Sequence, residues 1–244
     1  MENKQYRAVF IDWDDTIGDF LGAAKIALQE MYDNYNLSDY FASQEEFVSL
    51  YKPHNLELWD KYGKGLVSKE FLRIDRFLNP LLRGSKLAAN SATLTPKAYV
   101  LAEQLSYEFL ALTTAYFSLL DGAEELIRYL AQKYPLTIIT NGFVEVQYEK
   151  FEKSGMKDLF AHIVLSEEVG CQKPNPGIFE EALHLNGLRA DEVVMIGDSW
   201  NSDIYGAQRV GIDQIWFRKL DEPLQEGQNA TYIVKNLSEI MAIL

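Results

Sequence analysis

The stretch AVFIDWDDTIG, Ala8 to Gly18, places three carboxylates directly behind a run of apolar residues. Ala8–Ile11 has the aromatic and β-branched character of a buried strand, where Asp is disfavoured. Asp12, Asp14 and Asp15 therefore belong to a strand's carboxyl end, crowded enough to repel one another unless a cation is near. In extended chain alternate side chains share a face, so Asp12, Asp14 and Thr16 are expected to point together. Asp15 would point away, as a solvated turn residue.

Outward from this stretch, similar short runs recur in the second half: LTIITN (136–141), HIVLS (162–166), EVVMIGD (192–198), QIWFR (214–218) and TYIV (231–234). Helix-like segments alternate with them: FVEVQYEKFEKSG (143–155), NPGIFEEALHLNG (175–187), NSDIYGAQRVG (201–211) and the closing NLSEIMAIL (236–244). Three of these four end at glycine, a common helix stop, and Asn175 with Pro176 forms a helix start. This alternation predicts an α/β fold with a doubly wound parallel sheet. Residues 13–135 separate the first strand from the next, far more than one crossover needs. That interval is helical in pattern, near 20–35, 44–51, 55–62, 68–79 and 96–117, with breaks at NLSDY, KPH, YGKG and RGSKLAANSATLTP. It is read as an inserted all-helical domain, giving a core of 1–17 and 118–244 and an insert of 18–117.

Lys and Arg number 23 against 36 Asp and Glu, a net charge of −13. That excludes a nucleic-acid polymer as partner, which needs a cationic face. No apolar run is long enough for a signal-peptide core or a membrane span. The single cysteine, Cys171, forbids an internal disulfide and fits a reducing compartment, so a cytoplasmic location is expected.

In parallel α/β sheets chemistry collects at the carboxyl ends of strands. Those ends carry Asp12, Asp14 and Thr16, then Thr140-Asn141-Gly142, then Lys173 within EEVGCQKPNPGIF, then Asp198, Ser199 and Asp203 within GDSWNSD. Carboxylates, a hydroxyl–amide pair and one lysine suit phosphoryl transfer. One carboxylate attacks phosphorus, and a second two residues on moves the proton. Mg²⁺ is the fitting cation, because it prefers carboxylate oxygens and bridges to phosphate. Thr140, the Asn141 amide and Lys173 would give donors to the phosphate oxygens. The substrate expected is a small phosphorylated molecule.

DWDDT, TNG, KPNPGIF and GDSWNSD resemble, in order and spacing, the four motifs of the haloacid dehalogenase-like hydrolase superfamily. The resemblance implies Asp12 as nucleophile, Asp14 as general acid and base, and Thr140, Asn141 and Lys173 at the phosphate. It implies metal binding by the Asp12 carboxylate, the Asp14 carbonyl and Asp198, with Asp203 supporting the metal site or Lys173. The insert matches the superfamily's helical cap, and the strand order implied is 3-2-1-4-5. NLELWDKYGKGLVSKEFLRIDRF (55–77) and TNGFVEVQYEKFEKSGMKDLF (140–160) resemble noncanonical pyrimidine 5′-nucleotidases, which implies a nucleoside monophosphate substrate.

Within the insert Asn55, Trp59 and Arg76 are the candidate substrate contacts, beside Tyr62, Arg73 and Phe77. The plainer reading makes Trp59 and Phe77 core and Arg73 and Arg76 a solvated face. Histidines 54, 162 and 184 lack metal-ligand spacing, and Cys171 reads as a bystander. The alternatives are a sugar-phosphate or phosphoglycolate phosphatase and, from another class, a catalytically silent binding protein on the same scaffold. A carbon–halogen hydrolase would have no use for Asp14.

Overall fold

The structure, a computed structural model, describes residues 4–86, 95–218 and 223–244. It divides into two compact units, 1–19 with 118–244, and 20–117. In the first, six parallel strands form one sheet: β1 (Ala8–Ile11), β2 (Leu136–Thr140), β3 (His162–Leu165), β4 (Val193–Gly197), β5 (Asp213–Phe217) and β6 (Tyr232–Val234). Their order is β3-β2-β1-β4-β5-β6, so the implied 3-2-1-4-5 order holds and β6 extends one edge.

β1, β2 and β4 are buried at every position, which explains why they read as unbroken apolar runs rather than alternating ones. Ala8, Phe10, Ile139, Val193 and Met195 pack against Ile178, Phe179 and Ala182 of α8 (Pro176–Asn186) and Ala207 of α9 (Tyr205–Arg209). The remaining helices of this unit are α5 (Ala123–Ala131), α6 (Val144–Ser154), α7 (Ser166–Val169) and α10 (Leu237–Ile243). Asn175 caps α8 by accepting from the Gly177 N–H at 2.9 Å, with Pro176 first in the helix. Gly155 and Gly187 end α6 and α8 in the left-handed conformation that glycine tolerates best.

The chain between β1 and β2 carries the inserted helical region. It comprises α1 (Phe20–Asn34), α2 (Gln44–Gly63), α3 (Lys69–Arg83) and α4 (Thr95–Ala115). Ser43 and Ser68 cap α2 and α3 by accepting N–H groups of Glu46 and Phe71. The helices close on Met31, Phe41, Phe47, Tyr51, Phe77, Leu81 and Phe109. Tyr51 and Phe77 stack with centroids 5.2 Å apart, and Phe109 meets Phe77 edge-on at 5.6 Å.

The expected break at KPH is overturned: α2 runs through Pro53, and α3 likewise continues past residue 79 through Pro80. A proline removes one helical hydrogen bond. The packing of Phe47, Tyr51 and Leu58 on either side of Pro53 holds the helix across that gap. Much of the RGSKLAANSATLTP break lies outside the described residues. No helix among the described residues is long and apolar enough to cross a membrane.

Candidate active site

β1 stops at Ile11, and the Asp12 N–H donates to the Ile196 carbonyl at 2.9 Å, tying the strand end to β4. Beyond it the chain turns back on itself: the N–H groups of Ile17 and Gly18 both donate to the Trp13 carbonyl at 2.9 Å. Thr16 meets Asp12 through this turn, not through the extended two-residue rhythm expected from sequence. Its hydroxyl lies 3.0 Å from Asp12 Oδ2 and 3.2 Å from Asp198 Oδ1. The single hydroxyl proton is shared between the two carboxylates, which sets them side by side. Trp13 points into the core against Phe151, with ring centroids 4.8 Å apart.

Asp15 departs from expectation. It is half-buried rather than solvated, and its φ is 63°, a left-handed conformation that Asp adopts more readily than most residues.

Lys173 stands at the centre of the cluster, 2% exposed. Its Nζ donates to Asp12 Oδ1 at 2.5 Å and to the Ile139 carbonyl at 2.7 Å, and lies 2.7 Å from Asp203 Oδ1. Burial works against its charge, but Asp12 and Asp203 outweigh that and hold the ammonium well above its ordinary value. Asp12 is pushed up to about 7, first by burial and then by Asp203 and Asp14, with Lys173 opposing. One lysine does not neutralise three carboxylates: ligand oxygens of Asp12, Asp198 and Asp203 all lie within 4.8 Å of one another.

Local backbone holds these groups. Ser199 caps a π-helical turn (Trp200–Ile204) through the Ser202 N–H, and its own N–H donates to Asp203 Oδ2 at 3.0 Å. Such turns recur at functional sites. A side chain at Gly197 would collide with the Asp203 carboxylate, so the strand must end in glycine there. The Trp216 indole N–H fixes the Asp198 carbonyl at 2.8 Å.

Thr140 is buried at the end of β2, and its Oγ1 accepts from the Gly142 N–H at 3.0 Å and the Gln147 side chain at 2.8 Å. With both lone pairs engaged, the Thr140 hydroxyl proton is left to donate. Asn141 behaves differently from expectation. Its amide donates to the Lys173 carbonyl at 2.9 Å and accepts the Lys173 N–H at 2.8 Å, so it clamps the Lys173 peptide.

Asp14 lies apart from the three-carboxylate cluster in its bonding. Its Oδ2 accepts from Gln147 at 2.8 Å, and its Oδ1 pairs with Lys150 Nζ at 2.9 Å. Gln147 and Lys150, both buried on α6, escaped the sequence reading. A signal existed: they stand at helical spacing in line with Phe143 and Phe151, where the periodicity calls for apolar residues. A side chain at Gly142 would run into Gln147, which accounts for the glycine of TNG.

In the helical unit Asn55 and Trp59 lie one turn apart on α2, and Arg76 lies on α3. Trp59 is half-buried and edge-on to Tyr62 at 5.8 Å, while Phe77 is core, as the plainer reading expected. Arg76 is not on a solvated face: it is 1% exposed, with its guanidinium 4.6 Å from the Phe109 ring. Its Nε and Nη2, and the Asn55 Oδ1, have no hydrogen-bond partner. His54 pairs with Asp75 at 2.8 Å and joins α2 to α3. Burial pushes the Cys171 thiol up, away from reactivity.

A family model described as haloacid dehalogenase-like hydrolase matches residues 6–211, spanning every strand-end motif described above. The chain belongs to this family. YfnB of Bacillus subtilis, described as a HAD-hydrolase, is 31% identical over 242 residues, covering 99% of this chain and 96% of that protein. Its magnesium-bound crystal structure superposes with a TM-score of 0.82 at 29% identity, covering 98% of this chain and 99% of that one. The glyceraldehyde 3-phosphate phosphatase of Pyrococcus furiosus is 30% identical, covering 99% of this chain and 94% of its own length. The pyrimidine 5′-nucleotidase YjjG of Escherichia coli is 28% identical, covering 97% and 96%. Identities this close do not set the nucleotidases apart from the triose-phosphate phosphatases.

Proposed function

We propose that this HAD-family chain is a Mg²⁺-dependent phosphomonoesterase working through an aspartyl-phosphate on Asp12, and that it dephosphorylates pyrimidine nucleoside 5′-monophosphates. The observation that carries the reaction is the convergence of the Asp12, Asp198 and Asp203 carboxylates, two of which, Asp12 and Asp203, pair with Lys173. The donor set fits a hard divalent ion: all oxygen, net negative, and with Asp12's proton affinity raised by burial beside its neighbours. The Asp12 and Asp198 carboxylates and the Asp14 carbonyl would hold it, with Asp203 in support, as in the family resemblance. When bound, Mg²⁺ supplies Lewis-acid neutralisation of phosphoryl charge. The magnesium-bound YfnB structure supports this choice.

In the first step an Asp12 oxygen bonds to phosphorus while the phosphorus–oxygen bond to the leaving group breaks. Asp14 gives its proton to that departing oxygen. In the second step water attacks phosphorus, Asp14 takes a water proton, and the bond from Asp12 to phosphorus breaks, releasing inorganic phosphate. Lys173 balances charge on Asp12, the Thr140 hydroxyl donates to a phosphate oxygen, and Asn141 keeps the Lys173 peptide in place.

The helical unit, residues 18–117 on the sequence reading, acts as the cap that selects the leaving group. Asn55, Trp59 and Arg76 are its proposed substrate contacts, because an amide and a guanidinium suit the polar edge of a pyrimidine and an indole suits stacking on its ring. A second reading, a triose-phosphate phosphatase, is favoured by the 30% identity to the Pyrococcus enzyme.

Phosphate release from uridine and thymidine monophosphates, glyceraldehyde 3-phosphate and phosphoglycolate, with Mg²⁺ or with chelator, separates these. The expected outcome is metal-dependent release, fastest from the two nucleotides. Faster release from glyceraldehyde 3-phosphate would replace the substrate assignment, and no release from any ester would favour a binding protein.

A further inference from the structure

Asp14 has a support that the four motifs do not contain. Gln147 Nε2 donates both to Asp14 Oδ2 and to Thr140 Oγ1, each at 2.8 Å, using both of its protons. Lys150 Nζ, on the next turn of α6, pairs with the other Asp14 oxygen at 2.9 Å. The Lys150 side chain is 4% exposed and the Asp14 side chain 26%, so the lysine is the enclosed partner and the carboxylate the one open to solvent. Gln147 is fully buried.

A buried lysine is costly without a carboxylate partner, and a core position on α6 would be filled more cheaply by leucine. Its presence calls for a role at Asp14. Asp14 lies past the end of β1 and pairs only through an isolated bridge to Gly18, so its backbone alone leaves the carboxylate free to rotate toward solvent. The two α6 side chains remove that freedom. Through the shared Gln147 amide, the carboxylate is also kept at a fixed place relative to the Thr140 hydroxyl.

We propose that Gln147 and Lys150 are positioning residues for the proton-transfer carboxylate. They hold Asp14 in register with Thr140, so that its proton reaches the leaving oxygen. This rests on the phosphomonoesterase reading above. It goes further in assigning to α6 a share of the leaving-group step.

Leaving groups differ in how much they need that proton. Phenyl phosphate expels a phenol whose pKa is about 10, like tyrosine's, and depends on protonation. p-Nitrophenyl phosphate expels a far more acidic phenol and depends on it little. The test compares kcat/KM on both esters, in Mg²⁺, for the unaltered chain, Lys150→Met, Gln147→Leu and Lys150→Arg.

Lys150→Met and Gln147→Leu are expected to lose about 100-fold on phenyl phosphate, the scale of a misplaced general acid, and only a few-fold on p-nitrophenyl phosphate. Lys150→Arg, which keeps the charge, should restore most of the phenyl phosphate rate. General damage to the fold or to Asp12 would lower both esters equally, so equal losses overturn the proposal, as does an unchanged ratio. Turnover of p-nitrophenyl phosphate that persists in the variants keeps the parent reading intact. Failure of the unaltered chain on both esters would overturn that reading itself.

Discussion

In the sheet unit each buried lysine has its carboxylate: Lys173 pairs with Asp12 and Asp203, and Lys150 with Asp14. In the helical unit Arg76 is equally buried, yet its Nε and Nη2 have no partner and its guanidinium faces the Phe77 and Phe109 rings. Among the described residues, each buried cation has an anion beside it in one unit, and Arg76 lacks one in the other. An unpaired buried donor costs about 1–3 kcal/mol. The substrate contact proposed for Arg76 is one way to recover that cost, whereas the buried lysines of the sheet unit find their carboxylates within the same unit.

The strongest way to break this comparison is Asp12→Asn. The amide keeps the shape but cannot attack phosphorus, and phosphate release is expected to fall by about 10⁴-fold or more. Steady-state release from p-nitrophenyl phosphate measures it directly. Full turnover by this variant would remove Asp12 from the chemistry and end the aspartyl-phosphate mechanism.

That prediction came within reach of sequence alone because a parallel sheet puts the carboxyl ends of its strands in one place. Once AVFI and VVMIG were read as neighbouring strands, the proximity of Asp12 to Asp198 followed. Three things did not follow. Thr16 returns to Asp12 through a turn that alternation cannot foresee. The Asn141 amide faces the Lys173 peptide, a contact between two loops distant in sequence. Gln147 and Lys150 stand on the apolar face of their helix, but polarity normally reports exposure, and here the partner is another polar group. The helical unit was legible as helices but not in its joints, since Pro53 interrupts hydrogen bonding without interrupting the helix.

Arg76→Met sharpens the comparison from the other side. Removing an unpaired buried charge should raise stability by about 1–3 kcal/mol in denaturant unfolding. The same change should lower kcat/KM for uridine monophosphate relative to p-nitrophenyl phosphate by about tenfold or more, since a polar contact to the leaving group is lost. A gain of stability with an unchanged ratio would make Arg76 a misfit in the core rather than a substrate contact. A loss of stability would mean that its charge is compensated within the fold.

The smallest effect is expected one residue beyond the proton carrier. Asp15 sits between Asp14 and Thr16, is half-buried, and donates its N–H to the Gly18 carbonyl at 2.7 Å in a left-handed conformation. What the turn requires there is a residue that tolerates positive φ, and Asn does so as well as Asp. Asp15→Asn should therefore leave activity within about twofold and stability within about 0.5 kcal/mol, by the same two assays. Asp15→Val keeps the size but not the tolerance, and should cost about 1–2 kcal/mol in stability. If Asp15→Asn instead failed as deeply as Asp12→Asn, the third carboxylate would carry chemistry. The division of labour among the three aspartates would then have to be redrawn.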